Sequence, residues 1–122
     1  MTETDKNLGI KGEDAAVAFL ERIGMQIAER NWKCKHGEVD AIARDGGVLV
    51  FIEVKTRNGV ERGTPEDAVT PAKQKRYAKI AKAYLATLEN ADVEVRFDVV
   101  TILVLSEDRA LLRHHRAAFV VE

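Results

Sequence analysis

The run Val48-Leu49-Val50-Phe51-Ile52 is apolar at every position, so the strand it predicts is covered on both faces. It ends on Glu53-Val54-Lys55, an acid and a base two residues apart and therefore on one face. Upstream, a strand over Gly37 to Arg44 leads into Asp45-Gly46-Gly47, a hairpin turn signal. Met25 to Lys33 reads as an earlier strand. Helical spacing of Ala16, Val17, Leu20 and Ile23 predicts a helix over Leu8 to Ile23, stopped by Gly24, with Met1 to Asn7 frayed. A second helix starts at Thr70-Pro71, an N-cap followed by proline at the first helical position. Its inward stripe is Tyr77, Ile80, Ala81, Tyr84, Leu85 and Leu88. Val93 to Leu105 reads as a strand, and a short last strand is expected near Ala110 to His115. His114 and His115 are adjacent, point to opposite sides, and read as surface residues. The order is helix, three strands, helix, strand: a single α/β domain with a mixed sheet.

Hairpin geometry brings two acids together. If Gly46-Gly47 form the turn, Asp45 pairs with Val48 and Asp40 falls opposite Glu53. If Asp45-Gly46 form it, Glu38 faces Glu53 and Asp40 is diagonal. A two-residue slip preserves parity, so Asp40 and Glu53 share a face in both registers. Like charges so placed repel, and a divalent cation removes the conflict. All-oxygen ligands favour Mg²⁺ or Mn²⁺ over zinc. Glu13 lies at the end of the first helix's inward stripe, where a first-turn acid also suits the helix dipole. Gln74, three residues before Tyr77, points inward at the start of the second helix.

With 122 residues, 46% hydrophobic and 32% charged, the chain has the balance of one globular domain. No apolar stretch approaches a membrane span, and the N-terminus has no signal-peptide layout, so a reducing cytoplasm is expected. The one cysteine, Cys34, reads as a strand residue. Net charge is −1, but Lys73, Lys75, Arg76, Lys79 and Lys82 face only Glu89 between Pro71 and Asn90. Lys75, Lys79 and Lys82 fall at spacings of four and three. They form a basic stripe, with Arg76 beside it, that suits a phosphate backbone. The competing path runs over Arg57 and Arg62 in the long polar stretch Thr56 to Val69.

Taken together, Gly37-Glu38-Val39-Asp40, Phe51 to Arg57, Ala68 to Gln74 and Arg96 to Val100 resemble the small bacterial YraN family. That family is endonuclease-like, within the PD-(D/E)xK nuclease superfamily, and similar to archaeal Holliday-junction resolvases. The resemblance spans about Gly9 to Leu105 and departs from the superfamily name at one place, where Val39 rather than proline precedes Asp40. It implies a restriction-endonuclease-like αβββαβ core and metal-dependent phosphodiester hydrolysis on DNA, branched or junction DNA included. It implies that Asp40 and Glu53 hold Mg²⁺ or Mn²⁺, with the Val54 carbonyl as a further ligand and Glu13 completing the site. Lys55 would orient the attacking water, and Gln74 would support that lysine or a phosphate. The alternative is a nucleic-acid-binding accessory that keeps the fold without turnover. A homodimer would suit a two-fold junction.

Overall fold

The computed structural model describes residues 3–58, 69–89 and 92–121. Helix α1 (Glu3–Arg22) precedes strands β1 (Gln26–Cys34), β2 (Gly37–Asp45) and β3 (Val48–Asn58). Helix α2 (Pro71–Leu85) then leads to β4 (Glu94–Ser106) and β5 (Arg109–Phe119). The strands form one mixed sheet in the order β1-β2-β3-β4-β5, antiparallel except for the β3–β4 pair. That parallel pair needs a crossover, and α2 provides it.

Each helix covers one face. Ala16 and Leu20 of α1 pack with Ala41, Ala43, Val50, Ile52, Val100 and Ile102. Tyr77, Ile80, Ala81 and Tyr84 of α2 pack with Ile42, Leu49, Phe51 and Phe97. The unbroken apolar run of β3 therefore divides cleanly, even positions toward α1 and odd positions toward α2. Rings reinforce the α2 side: Phe97 stacks on Phe119 with centroids 5.0 Å apart, and Trp32 meets Tyr84 edge-on at 5.1 Å. On the other side α1 approaches closely at Gly12, where an added Cβ would collide with Thr56 Oγ1. No described helix is long and apolar enough to cross a membrane.

Local signals match their elements. Gly24, with φ +101°, closes α1, and Met25 N donates to Leu20 O at 3.0 Å. Thr70 Oγ1 accepts from Lys73 N at 3.2 Å, capping α2. Gly46 and Gly47 make the hairpin turn and Asp45 pairs with Val48, the first of the two registers.

Four expectations need correction. Helix α1 begins at Glu3, so residues 3–7 continue the helix instead of fraying. Ile23 lies just past its end and is 42% exposed, outside the buried stripe. The last strand is not short, because β5 pairs with β4 along nearly its whole length. The core is thus αβββαββ, with β5 as an added edge. His114 is not a surface residue: its side chain is 7% exposed and lies against buried Asp98. Arg62 falls outside the described residues.

Candidate active site at the splayed β2–β3 hairpin

The β2–β3 ladder ends at Ala41↔Ile52, one step before Asp40 would meet Glu53. On the opposite side of β2, Asn31 has φ +51°, and the β1–β2 ladder skips the Asn31/Asp40 position. Ile42 and Val39 both join the α2-side cluster although they are three apart, so strand alternation breaks between them. The strands part at Asp40, and its Oδ2 accepts a 2.8 Å hydrogen bond from Val54 N in place of a ladder contact.

Glu53 enters this gap as a carboxylate only 7% exposed. Lys73 Nζ stands 2.6 Å from its Oε1, and the Tyr77 hydroxyl donates to its Oε2. Both partners come from α2, one turn apart. Burial, then the Glu53 charge, push the Asp40 carboxyl up to about 7; the Val54 hydrogen bond and Lys73 pull the other way, and Glu13 adds a smaller push. Burial, with the Glu53 charge behind it, also raises Tyr77 far above the usual phenol range, keeping it a neutral donor. The site holds more acid than its cations offset.

Glu13 sits on α1, across the sheet from Glu53. In the orientation that satisfies its neighbours, the Asn31 amide nitrogen donates to Glu13 Oε1 and Glu38 Oε1, each at 2.9 Å. Burial raises the Glu13 pKa, opposed by the Arg30 charge and assisted by Glu38. Glu13 and Glu38 thus form a second acidic pair beside Asp40. Lys55 follows Glu53 on the same face; its side chain is exposed and makes no ion pair among the described residues. Gln74 Nε2 donates to Val69 O at 3.1 Å, bracing the entry to α2 and not contacting Lys55. Arg57 is half-buried two residues beyond Lys55.

Lys75, Lys79 and Lys82 are exposed on α2. At 100° per residue, Lys75 and Lys79 lie about 200° around the axis from Lys73 and Tyr77, which face Glu53. Their stripe looks away from the carboxylates. Arg76 lies over the β1–β2 turn, its Cδ 2.9 Å from where a Cβ on Gly37 would stand.

Sequence reasoning missed Lys73 and Tyr77 as site residues. A signal existed: Lys73 stands four residues before Tyr77, so it extends the inward stripe of α2 to the helix start. The Thr70-Pro71 cap then fixes that start beside Glu53.

Among the described residues no three His, Cys, Asp or Glu side chains converge into a metal cage. The donor set nevertheless suits Mg²⁺ or Mn²⁺, which are bound through one or two carboxylates plus waters and substrate phosphate. Asp40 and Glu53 are hard oxygen donors whose mutual repulsion such a cation would relieve.

Metal-free protein should become more stable when Asp40 is replaced by asparagine, in a pH-dependent way. The Asp40 pKa is raised from 3.8 to about 7, so between these values the folded state holds a proton that the unfolded state has lost. Its contribution is fully present below about pH 4 and is lost as pH rises through 7. Asp40→Asn should therefore gain on the order of 1–3 kcal/mol at pH 8 and almost nothing near pH 4, read from urea midpoints. An equal effect at both pH values would refute the burial and repulsion ascribed to Asp40.

A mixed sheet between two helices, with two acids at a splayed hairpin and a lysine two residues after the second, defines a restriction-endonuclease-like α/β core. The sequence profile of the Uncharacterised protein family UPF0102 matches residues 12–102, and the chain belongs to this family, the YraN family. A UPF0102 protein of Geobacter sulfurreducens is 49% identical over 115 residues, covering 94% of this chain and 90% of the relative. Another from Symbiobacterium thermophilum is 52% identical over 97 residues, covering 80% and 82%. A third, from Nocardia farcinica, is 44% identical over 112 residues, covering 92% and 88%.

Proposed function

We propose that the protein is a metal-dependent endonuclease that hydrolyses phosphodiester bonds in DNA, with branched or junction DNA among its substrates. One observation carries this reading: buried Glu53 stands beside an Asp40 carboxyl pushed to about 7, at the point where β2 and β3 part. Carboxylates kept at this cost where the β2–β3 ladder ends fit a divalent-cation site. Asp40 and Glu53 would hold Mg²⁺ or Mn²⁺, with the Val54 carbonyl and Glu13 as further or water-mediated ligands. The ion, when bound, supplies a Lewis acid for the phosphoryl oxygen and lowers the pKa of a coordinated water.

The chain's own groups do the rest. Lys73 and Tyr77 hold Glu53 in one orientation, so its carboxylate does not have to be ordered when substrate arrives. Lys55, exposed on the same face, places a cation where charge grows on the phosphorus-centred transition state. Gln74 keeps the start of α2, and with it Lys73, against the site. Asp40 must release its proton before it can serve as a ligand, so metal affinity should fall as pH drops below 7.

The second reading, a nucleic-acid-binding accessory without turnover, draws on the same ion pair. Both Glu53 oxygens already have partners, and a lysine there can stand in for the cation. Calorimetry with Mn²⁺, combined with incubation of labelled linear, flapped and four-way DNA with and without Mg²⁺ or Mn²⁺, separates the two. The nuclease should bind Mn²⁺ in a manner that Asp40→Asn and Glu53→Gln each abolish, and should cut DNA only with metal. DNA binding with neither metal uptake nor cleavage would establish the accessory instead.

A further inference from the structure

Pairing across the parallel and edge strands creates a row that the sequence does not display. Lys55 pairs with Thr101, and Thr101 pairs with Arg113. Paired residues share a face, and the odd positions of β3 and β4 look toward the α2 side. Lys55 and Arg113 are nevertheless exposed; the α2-side cluster takes Leu49 and Phe51 of β3, Val95 and Phe97 of β4 and Phe119 of β5, all toward the other end of these strands. In the neighbouring row, Glu53 pairs with Val99 and Val99 with His115. Thr101 Oγ1 lies 3.3 Å from His115 Nε2, tying the two rows together. The strand that supplies Arg113 carries Arg109, His114, His115 and Arg116 as well, and no acid between Arg109 and Phe119.

We infer that the nucleic-acid backbone crosses the open sheet face along Lys55, Thr101 and Arg113, beside the carboxylate pair, and not along the outer face of α2. The inference rests on the proposed action on DNA and adds the path the strand takes. Three adjacent strands at about 4.8 Å spacing set Lys55 and Arg113 roughly 10 Å apart, the axial length of about three phosphates on one DNA strand. The row lies toward the carboxyl ends of the parallel pair β3 and β4, where open α/β sheets take their ligands. A backbone laid on Lys75 and Lys79 would instead be separated from Glu53 by about the diameter of a helix, ~10 Å.

Anisotropy titrations of a labelled DNA duplex, with EDTA present and at several salt concentrations, test this path. Arg113→Gln should lower the magnitude of the salt slope by roughly one, and Arg113→Glu should weaken binding about tenfold or more at ~50 mM salt. Leu111→Lys, adding a cation at an exposed position on the same face, should raise the slope by roughly one. The Lys75/Lys79/Lys82→Gln triple variant should keep the parental slope. An arginine that merely blocks edge pairing of β5 would leave the slope untouched. Parental slope and affinity in both Arg113 variants, or loss confined to the helix triple variant, would overturn the path alone. A parent that binds no DNA at ~50 mM salt would overturn the nuclease reading and the path together.

Discussion

Replacing Lys55 by alanine is expected to lower DNA cleavage by about two or more orders of magnitude, with DNA affinity within several-fold of the parent. The split follows from where the side chain stands. Lys55 is exposed and makes no ion pair among the described residues, so its loss removes nothing from the core. It follows Glu53 on one face, where a fixed cation meets the backbone and opposes the further charge that grows in the transition state. The unfolding midpoint should therefore stay at the parental value. Lys73→Ala should behave differently: it strips Glu53 of its counter-ion and takes away a charge that lowers the Asp40 pKa. Its signature should be a pH profile for metal binding displaced to higher pH. Single-turnover cleavage with saturating Mn²⁺ measures the first effect, and a Lys55→Ala protein as fast as the parent would end the assigned role.

The largest stability loss is expected on the opposite face of the sheet, at Asp98, which pairs with Ile52 beside Glu53. Its carboxylate is fully buried on β4 and accepts four hydrogen bonds. Arg96 donates through Nε at 2.9 Å and Nη2 at 3.0 Å, Ala117 N donates at 3.0 Å, and His114 Nε2 lies at 2.8 Å. The β4–β5 register shifts at this level, between Phe97 and Val99, and Ala117 has φ +49°. Asp98 therefore replaces the missing ladder contact and anchors the returning end of β5. Asp98→Ala leaves buried His114 and Ala117 N without their acceptor, while Arg96 keeps Asp45, 2.9 Å from its Nη2. The loss should be about 2–4 kcal/mol in urea unfolding. A loss under about 1 kcal/mol would show that the cluster is dispensable.

The pH dependence of that loss has a definite sign. Burial alone would raise the Asp98 pKa, but the hydrogen bonds from His114, Arg96 and Ala117 outweigh it and hold the carboxyl below its ordinary range. A depressed folded pKa stabilises above the unfolded value of about 3.8 and loses that contribution as pH falls through the folded one. The gap between parent and variant should thus be widest above about pH 5 and narrow under strongly acid conditions.

Periodicity and turn chemistry were sufficient for most of the architecture. The apolar run from Val48, the Gly46-Gly47 turn and the Thr70-Pro71 cap are local signals, and each marks where an element begins, although β3 runs on to Asn58 through residues that read as the start of the polar connection. Strand parity points Asp40 and Glu53 to one face in either register, but the ladder stops at Ala41↔Ile52 and alternation breaks beside Asp40, so the splay sets how the two acids meet. Residues 3–7 were misread because no apolar stripe marks them, although helix α1 continues through them. His114 was misread because a histidine on an edge strand becomes a core residue only if another strand supplies its acceptor.

By itself, then, the sequence determined the strand–turn–strand unit that carries the acids, the helix that crosses from β3 to β4, and the residue types available for chemistry. These depend on interactions within a few residues, which a linear pattern records. Tertiary structure alone decided the rest. It joined Lys73 and Tyr77 to Glu53 across 20 and 24 residues, turned Lys75 and Lys79 away from the carboxylates, and buried Asp98 beneath β5. It also aligned Lys55 with Arg113 through a strand that touches both. Burial and counter-charges that shift a pKa or orient a carboxylate come from elements distant in sequence, and only the packed sheet brings them within a few ångströms.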